Sequence, residues 1–224
     1  MRVLDLFVGL GGFSQAFKDQ GHDVRTLDHL ESFRPTYRVD ICDWDPVGEY
    51  DVILASPPCT QFSVMQIARH WDGIVPRTEE AQRAVEIVEH TVRVIETLKP
   101  QFFVFENPIG KLRKLHPLQR YERRSVTYCQ YGEDRMKPTD LWGGFPPSLK
   151  LRTPCRNGDS CHKSSPRGSH DAGVQSRTDD GFKHMPRMSR DRSTKDYQTY
   201  NAAVRAMVPY ELSEELCRAM EGDL

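Results

Sequence analysis

A thiol and a carboxylate stand at matching points of this 224-residue sequence, each beside a short apolar run. Cys59 follows DVILA (51–55) within SPPCTQFS, and Glu106 follows Phe-Phe-Val-Phe within QFFVFENP. Apolar runs of this length, closed by proline, read as buried strands, so each group is delivered where its strand ends. Pro57 and Pro58 fix the backbone that presents the thiol. Open α/β sheets bind their ligands at the carboxyl ends of strands. There an ionised thiol is a nucleophile, and a carboxyl in apolar surroundings keeps its proton to higher pH and can exchange it. Alone, either residue has an ordinary explanation as a buried small hydrophobe or a turn cap. Two parallel strands carrying them into one crevice make a far stronger signal.

The other elements must build that crevice. Val3–Val8 reads as a buried strand, Gly9, Gly11 and Gly12 as a turn, and Phe13–Gln20 as a helix stopped by Gly21, which is half of a βαβ unit. Such a turn lets a ligand approach the backbone and the unpaired N–H groups of the helix start. The order GLGG is not GxGxxG, so the dinucleotide fingerprint is not met, and a plain tight turn also accounts for it. The strand Asp23–Leu27 leads to Asp28, about twenty residues after the glycine turn, where an acid can accept from ribose hydroxyls. A third stretch, Tyr37–Ile41, carries Asp40, a possible acceptor for an adenine amino group.

Beyond Cys59 an irregular segment runs to about Pro76, long enough to close over a substrate. Thr78 then caps a helix whose apolar face is Ala81, Val85, Val88, Val92 and Ile95, ended by Lys99-Pro100. Ser125–Tyr131 and Thr139–Trp142 read as strands joined by GEDRMKP, which contains Arg135 and Lys137. From Asp196 to Met220 helical patterning returns, broken at Pro209.

With 38% apolar and 28% charged residues, the chain can bury one sizeable core. No apolar run approaches membrane-spanning length, and MRVLDLFVGLGG lacks a signal-peptide pattern, so an intracellular, cytoplasmic protein without a membrane is expected. Six cysteines at irregular spacing favour reduced thiols. The net charge of −1 singles out no partner, but residues 150–195 hold eleven Lys/Arg against five Asp and no Glu. This basic stretch, including Arg152, Arg156, Lys163, Arg167, Arg177, Lys183, Arg187, Arg190 and Arg192, is expected to contact phosphates. Within it CRNGDSCH sets Cys155, Cys161 and His162 near one another, with His170 and His184 further on. The Cys-x5-Cys spacing lies outside common zinc patterns, so these are weak ligand candidates and no metal is expected.

With those pieces in place, the chain resembles the cytosine-5 methyltransferase family over residues 2–145 and the C-terminal helices. The resemblance implies a Rossmann-like class I fold dependent on S-adenosylmethionine (SAM), with residues 1–145 as the catalytic, SAM-binding domain. Residues 146–195 would be a small, loop-rich basic subdomain for target recognition, and 196–224 helices completing the catalytic domain. DLFVGLGGFSQAF is similar to the family's cofactor loop, with Phe7 against adenine and the backbone of Gly9, Leu10 and Gly12 around the methionine portion. Asp28, Asp40 and Ile41 fall where the family contacts ribose and adenine, and Pro57 is placed on the same side.

SPPCTQFS resembles the nucleophile motif, with Cys59 as nucleophile, and FENP the acid motif, with Glu106. Arg135 and Lys137, in YGEDRMKPT, approximate an arginine-bearing motif that contacts base and phosphate. Thr60 stands where the family usually has Gln. Aligned on Val208-Pro209, Arg205 and Ala206 replace a Gly-Asn pair beside the cofactor. Arg205 would pair with an acid of the protein, with the SAM carboxylate, or with the extra carboxylate of carboxy-SAM, in which case a carboxymethyl group would be transferred. The expected activity is methylation of cytosine carbon 5 in DNA. RNA as the polymer, and a non-catalytic module binding SAM and nucleic acid, are the alternatives.

Overall fold

The computed structural model describes residues 1–156, 158–162 and 202–224. Its main sheet contains β1 (Arg2–Leu6), β2 (Asp23–Asp28), β3 (Tyr37–Arg38), β4 (Val52–Ala55), β7 (Phe102–Pro108), β8 (Glu122–Thr127) and β9 (Pro138–Gly144). The strands lie in the order β3-β2-β1-β4-β7-β9-β8. The first five are parallel, and β9 runs antiparallel to both of its neighbours. β5 (Trp71–Asp72) and β6 (Val75–Pro76) form a separate hairpin.

Helices cover both faces, which is why β4 and the first four residues of β7 read as unbroken apolar runs rather than alternating ones. Helix α3 (Glu79–Leu98) and the short helices α2 (Ile67–His70) and α4 (His116–Gln119) belong to one side, and α1 (Gln15–Asp19) and α5 (Tyr210–Gly222) to the other. Within β4, Ile53 and Ala55 join the α3 core while Val52 and Leu54 join the α5 core, the period of two that a pleated strand requires. Thr78 caps α3 by accepting from the Ala81 N–H at 3.2 Å, and Lys99 ends it in a left-handed conformation.

The site is positioned by a topological feature. From β1 the chain goes outward to β2 and β3, then returns to the opposite side of β1 as β4, so the order reverses between β1 and β4. The carboxyl ends of that pair carry the Phe7–Gly12 turn and the Ser56–Cys59 turn, side by side. Ser56 links them, its N–H donating to the Leu6 carbonyl (3.2 Å) and its hydroxyl to the Phe7 carbonyl (3.4 Å).

Three expectations change. The third strand stops at Arg38, and Asp40 instead caps a 3-10 turn over Ile41–Asp43. The strand expected through Tyr131 ends at Thr127, where a 3-10 turn Tyr128–Tyr131 begins. The segment after Cys59 is not a plain loop. It holds two 3-10 turns, α2 and the hairpin, and is tied down where Trp71 Nε1 donates to the Gln61 carbonyl (2.8 Å) and Lys111 to the Gly73 carbonyl.

Candidate active site

β4 and β7 are paired in parallel, Ala55 opposite Phe105, so Cys59 and Glu106 leave the same end of the sheet from adjacent strands. Two further contacts join those ends. Asn107 Nδ2 donates to the Pro57 carbonyl at 3.1 Å in a buried setting, and Ser63 bridges to Gly110. A side chain at position 110 would collide with the Phe62 carbonyl, so glycine there is what permits the close approach.

Glu106 shares the strand face of Phe102 and Val104 and is 3% exposed. The buried Tyr128 hydroxyl donates to its Oε1 at 2.7 Å, and Lys137 Nζ lies 3.8 Å from the same oxygen and 4.3 Å from the centre of the Tyr128 ring. Burial raises the Glu106 carboxyl above its ordinary range, against the pull of Lys137 and the Tyr128 hydroxyl. The same burial lowers the Lys137 ammonium, opposed by Glu106 and Cys59. Burial also raises the Cys59 thiol and the Glu106 charge adds to this, while Lys137 and Arg205 act in the opposite direction. These groups therefore share one electrostatic environment: a thiol and a carboxyl whose ionised forms depend on the cations beside them.

Residues 202–206 form a helical turn that closes this side. Arg135 Nη2 donates to the carbonyls of Val204 (3.4 Å) and Arg205 (3.2 Å), and Lys137 Nζ to that of Ala206 (3.3 Å). Cations suit the carbonyl end of a helix. Lys137 thus reaches Glu106, whereas Arg135 is held by these carbonyls and by Glu133, 3.6 Å away. Arg205 itself is exposed.

The β1 turn is shaped for close approach. Phe7 adopts a left-handed φ of 66°, a conformation that costs a non-glycine residue about 1–2 kcal/mol. Its N–H and that of Val8 both donate to the Leu27 carbonyl (2.8 and 3.1 Å), which holds the turn against β2. A Cβ on Gly12 would lie 2.6 Å from the Val208 carbonyl, so the Met207–Val208 segment rests directly on the glycine backbone. Leu10 is half-buried on that turn and Pro57 is buried beside it. Asp28 accepts from the Gly9 N–H (3.1 Å) and the Leu30 N–H (3.0 Å), and a carboxylate's roughly four lone-pair sites leave it capacity for further donors.

Asp40 is more committed, taking the Cys42 N–H at 2.9 Å and Arg83 Nη2 at 2.8 Å. Burial raises its carboxyl, but those two donors reverse the effect and hold it below the usual range. Ile41, next to it, is 2% exposed.

Sequence reasoning missed Tyr128, Asn107 as a tie, and Cys129. Asn107 stands inside the FENP motif, so a signal was present there, whereas Tyr128 depends on the β8–β9 pairing. Cys129 Sγ lies 3.1 Å from Cys155 Sγ and 3.8 Å from Cys161 Sγ, beside His162. Of the expected phosphate contacts, Arg152 is engaged by Glu211 and by Glu215 (2.5 Å) with its guanidinium over the Tyr131 ring. Lys163, Arg167, His170, Arg177, Lys183, His184, Arg187, Arg190 and Arg192 lie outside the described residues.

Residues 1–116 match the model of the C-5 cytosine-specific DNA methylase family. A probable DNA (cytosine-5)-methyltransferase of frog virus 3 is 29% identical over 176 residues, covering 72% of this chain and 78% of that protein. The type II methyltransferase M.DdeI of Desulfomicrobium norvegicum is 31% identical over 129 residues, but those are 50% of this chain and only 29% of that enzyme. The structure of the Entamoeba histolytica methyltransferase EhMeth shares the fold, with a TM-score of 0.59 over 100% of this chain and 98% of that one at 10% identity. Matched over residues 1–116 and folded on a Rossmann-like sheet, the chain belongs to the C-5 cytosine-specific DNA methylase family.

Proposed function

We propose that this protein transfers a methyl group from SAM to carbon 5 of cytosine in DNA, through a covalent bond between Cys59 and a cytosine turned out of the helix. The observation that carries the reading is the delivery of Cys59 and Glu106 by adjacent parallel strands to one end of the sheet, with Lys137 beside the carboxyl. Carbon 5 is a weak nucleophile, so the Cys59 thiolate adds to carbon 6 and moves electron density onto carbon 5. Glu106, whose carboxyl burial raises above its ordinary range, hydrogen-bonds ring nitrogen 3 and faces the exocyclic amine, stabilising the charge that develops as sulfur adds. Carbon 5 would then bond the methyl group, whose former bonding pair stays on the cofactor's sulfur, and loss of the carbon 5 proton with expulsion of the thiolate restores the aromatic ring. Lys137 favours the ionised thiol and holds Glu106 in place, and Tyr128 fixes the carboxyl from below.

The Phe7–Gly12 turn fits SAM, because Phe7 and Gly9 take left-handed φ values of 66° and 48° and a Cβ at Gly9 would meet only the Phe7 carbonyl at 3.9 Å, which leaves that backbone open to a closely approaching group. Phe7, Gly9, Leu10, Gly12, Asp28, Asp40, Ile41 and Pro57 are the residues that would hold it, Asp40 while still paired with Arg83. When bound, SAM supplies an electrophilic methyl group on a sulfonium centre. Arg205 would serve the cofactor's carboxylate. Flipping the base costs a few kcal/mol, supplied by contacts to the polymer, for which the basic stretch 146–195 is proposed as the recognition subdomain between the catalytic parts 1–145 and 196–224.

Tritium transfer from labelled SAM to duplex DNA and to tRNA in the same tube tests the substrate. Label in DNA at least tenfold above tRNA is expected. Preference for tRNA would move the reading to RNA, and label in neither would leave a binding module.

A further inference from the structure

The 3-10 turn after β8 and the start of the basic stretch meet at four soft ligands. Cys129 comes from the turn Tyr128–Tyr131, and Cys155, Cys161 and His162 come from the opposite strand of chain. The Cys129–Cys155 and Cys129–Cys161 sulfurs are 3.1 and 3.8 Å apart, and His162 Nδ1 stands 3.7 Å from Cys155 Sγ and 3.5 Å from Cys161 Sγ. All four donor atoms lie within 4.8 Å of one another. Four donors placed tetrahedrally at zinc bond lengths of ~2.3 Å for sulfur and ~2.0 Å for nitrogen are separated by ~3.5–3.8 Å. The cluster nearly matches that spacing without a bond between any two members.

A disulfide explains less. It would join one pair at about 2.05 Å and leave the other thiol and the imidazole converging for no reason. The surroundings are also those of a ligand site. Gln130 Nε2 donates to Cys161 Sγ at 3.2 Å, and the Cys155 N–H donates to Thr127 Oγ1 at 3.0 Å, so one neighbour orients a sulfur and another fixes the backbone that carries a second. Between Cys155 and Cys161 the chain turns back sharply, Asp159 accepting from the Arg156 N–H at 2.7 Å and Gly158 taking a φ of 100°. Two other groups of possible ligands among the described residues, His22 with Cys217 and Glu221, and Cys42 with Glu86 and His90, offer one sulfur each. Three thiolates and an imidazole select zinc over harder cations, and four protein ligands make a closed, structural site.

We propose that Cys129, Cys155, Cys161 and His162 bind one zinc ion that fastens the root of the basic stretch to the catalytic sheet. The attachment is next to the chemistry, because Cys129 follows Tyr128, whose hydroxyl reaches Glu106. The site is independent of which polymer the protein acts on.

The test is elemental analysis and native mass spectrometry of the full chain, expressed with zinc and purified under a phosphine reductant. One zinc per chain is expected in wild type and in Cys42→Ser, and at least a tenfold lower content in Cys161→Ser. Because Cys161 is exposed, that variant should fold, which circular dichroism checks. Cobalt(II) in place of zinc should give the intense visible bands and near-ultraviolet thiolate charge transfer of a tetrahedral site, both absent in Cys161→Ser. Folded wild type free of zinc, or lighter by two hydrogens from a disulfide, would overturn the proposal. So would zinc that persists in Cys161→Ser or is lost in Cys42→Ser.

Discussion

Asp5 lies in the middle of β1, fully buried, on the strand face opposite Leu4 and Leu6. Ser14 donates to its Oδ2, and its Oδ1 has no hydrogen-bond partner. Burial pushes the carboxyl up from 3.8 to about 7, against the Ser14 hydroxyl and Lys18. The folded protein therefore binds a proton that the unfolded chain releases, so Asp5 leaves stability intact below about pH 4 and lowers it as pH rises to about 7. At about 1.4 kcal/mol per pH unit the loss above pH 7 is about 4 kcal/mol. Asp5→Asn removes that titration while its amide oxygen still accepts from Ser14. Its unpaired N–H group takes back about 1–2 kcal/mol, which leaves a net gain of about 2–3 kcal/mol at alkaline pH. Urea unfolding at several pH values measures this as a midpoint higher by about 1 M at alkaline pH, given a slope of about 1–3 kcal/mol/M. At pH 4 the advantage should vanish. Parallel stability curves for the two proteins across that range would refute a buried, proton-binding Asp5.

Three further outcomes are expected. Tyr128→Phe removes a hydrogen bond to a chargeable partner worth about 1.5–3 kcal/mol, so kcat/KM should fall about 10–100-fold. As the hydroxyl lowers the Glu106 carboxyl, the alkaline limb of the pH–rate profile should move to higher pH, and a profile of unchanged shape would remove Tyr128 from the site. Gly12→Ala sets a methyl 2.6 Å from the Val208 carbonyl, and overpacking by about 1–3 kcal/mol should lower Tm by several degrees in differential scanning fluorimetry; an unchanged Tm would mean the Met207–Val208 segment does not rest on the turn. Offered SAM and carboxy-SAM in equal amounts, the protein should yield 5-methylcytosine by nucleoside mass spectrometry. Carboxymethylcytosine from wild type that disappears in Arg205→Ala would assign Arg205 to the modified cofactor.

Why the sheet was readable while parts of the site were not follows from where the determining contacts lie. β4 and β7 are covered on both faces and read as the continuous apolar runs Val52–Ala55 and Phe102–Phe105, so their ends, and with them Cys59 and Glu106, could be located by inspection. Thr78 and Lys99 bound α3 by local chemistry. Asp40 escaped because the same residue type ends a strand or caps a 3-10 turn, and its second partner, Arg83, lies far along the chain. Tyr128 and Cys129 acquire their partners only when β8 pairs with β9 and the basic stretch folds back on the turn between them. No spacing rule spans those contacts.

The covalent step admits a direct measurement. A duplex containing 5-fluorocytosine in place of cytosine, incubated with the protein and SAM, cannot lose the carbon 5 substituent after methyl transfer, so the thiolate cannot leave. Intact mass spectrometry should find protein plus oligonucleotide plus one methyl group, with the bond mapped to Cys59 by peptide analysis and no adduct in Cys59→Ser. An adduct at another residue, or turnover of ordinary cytosine in DNA by Cys59→Ser at a rate near wild type, would contradict the mechanism.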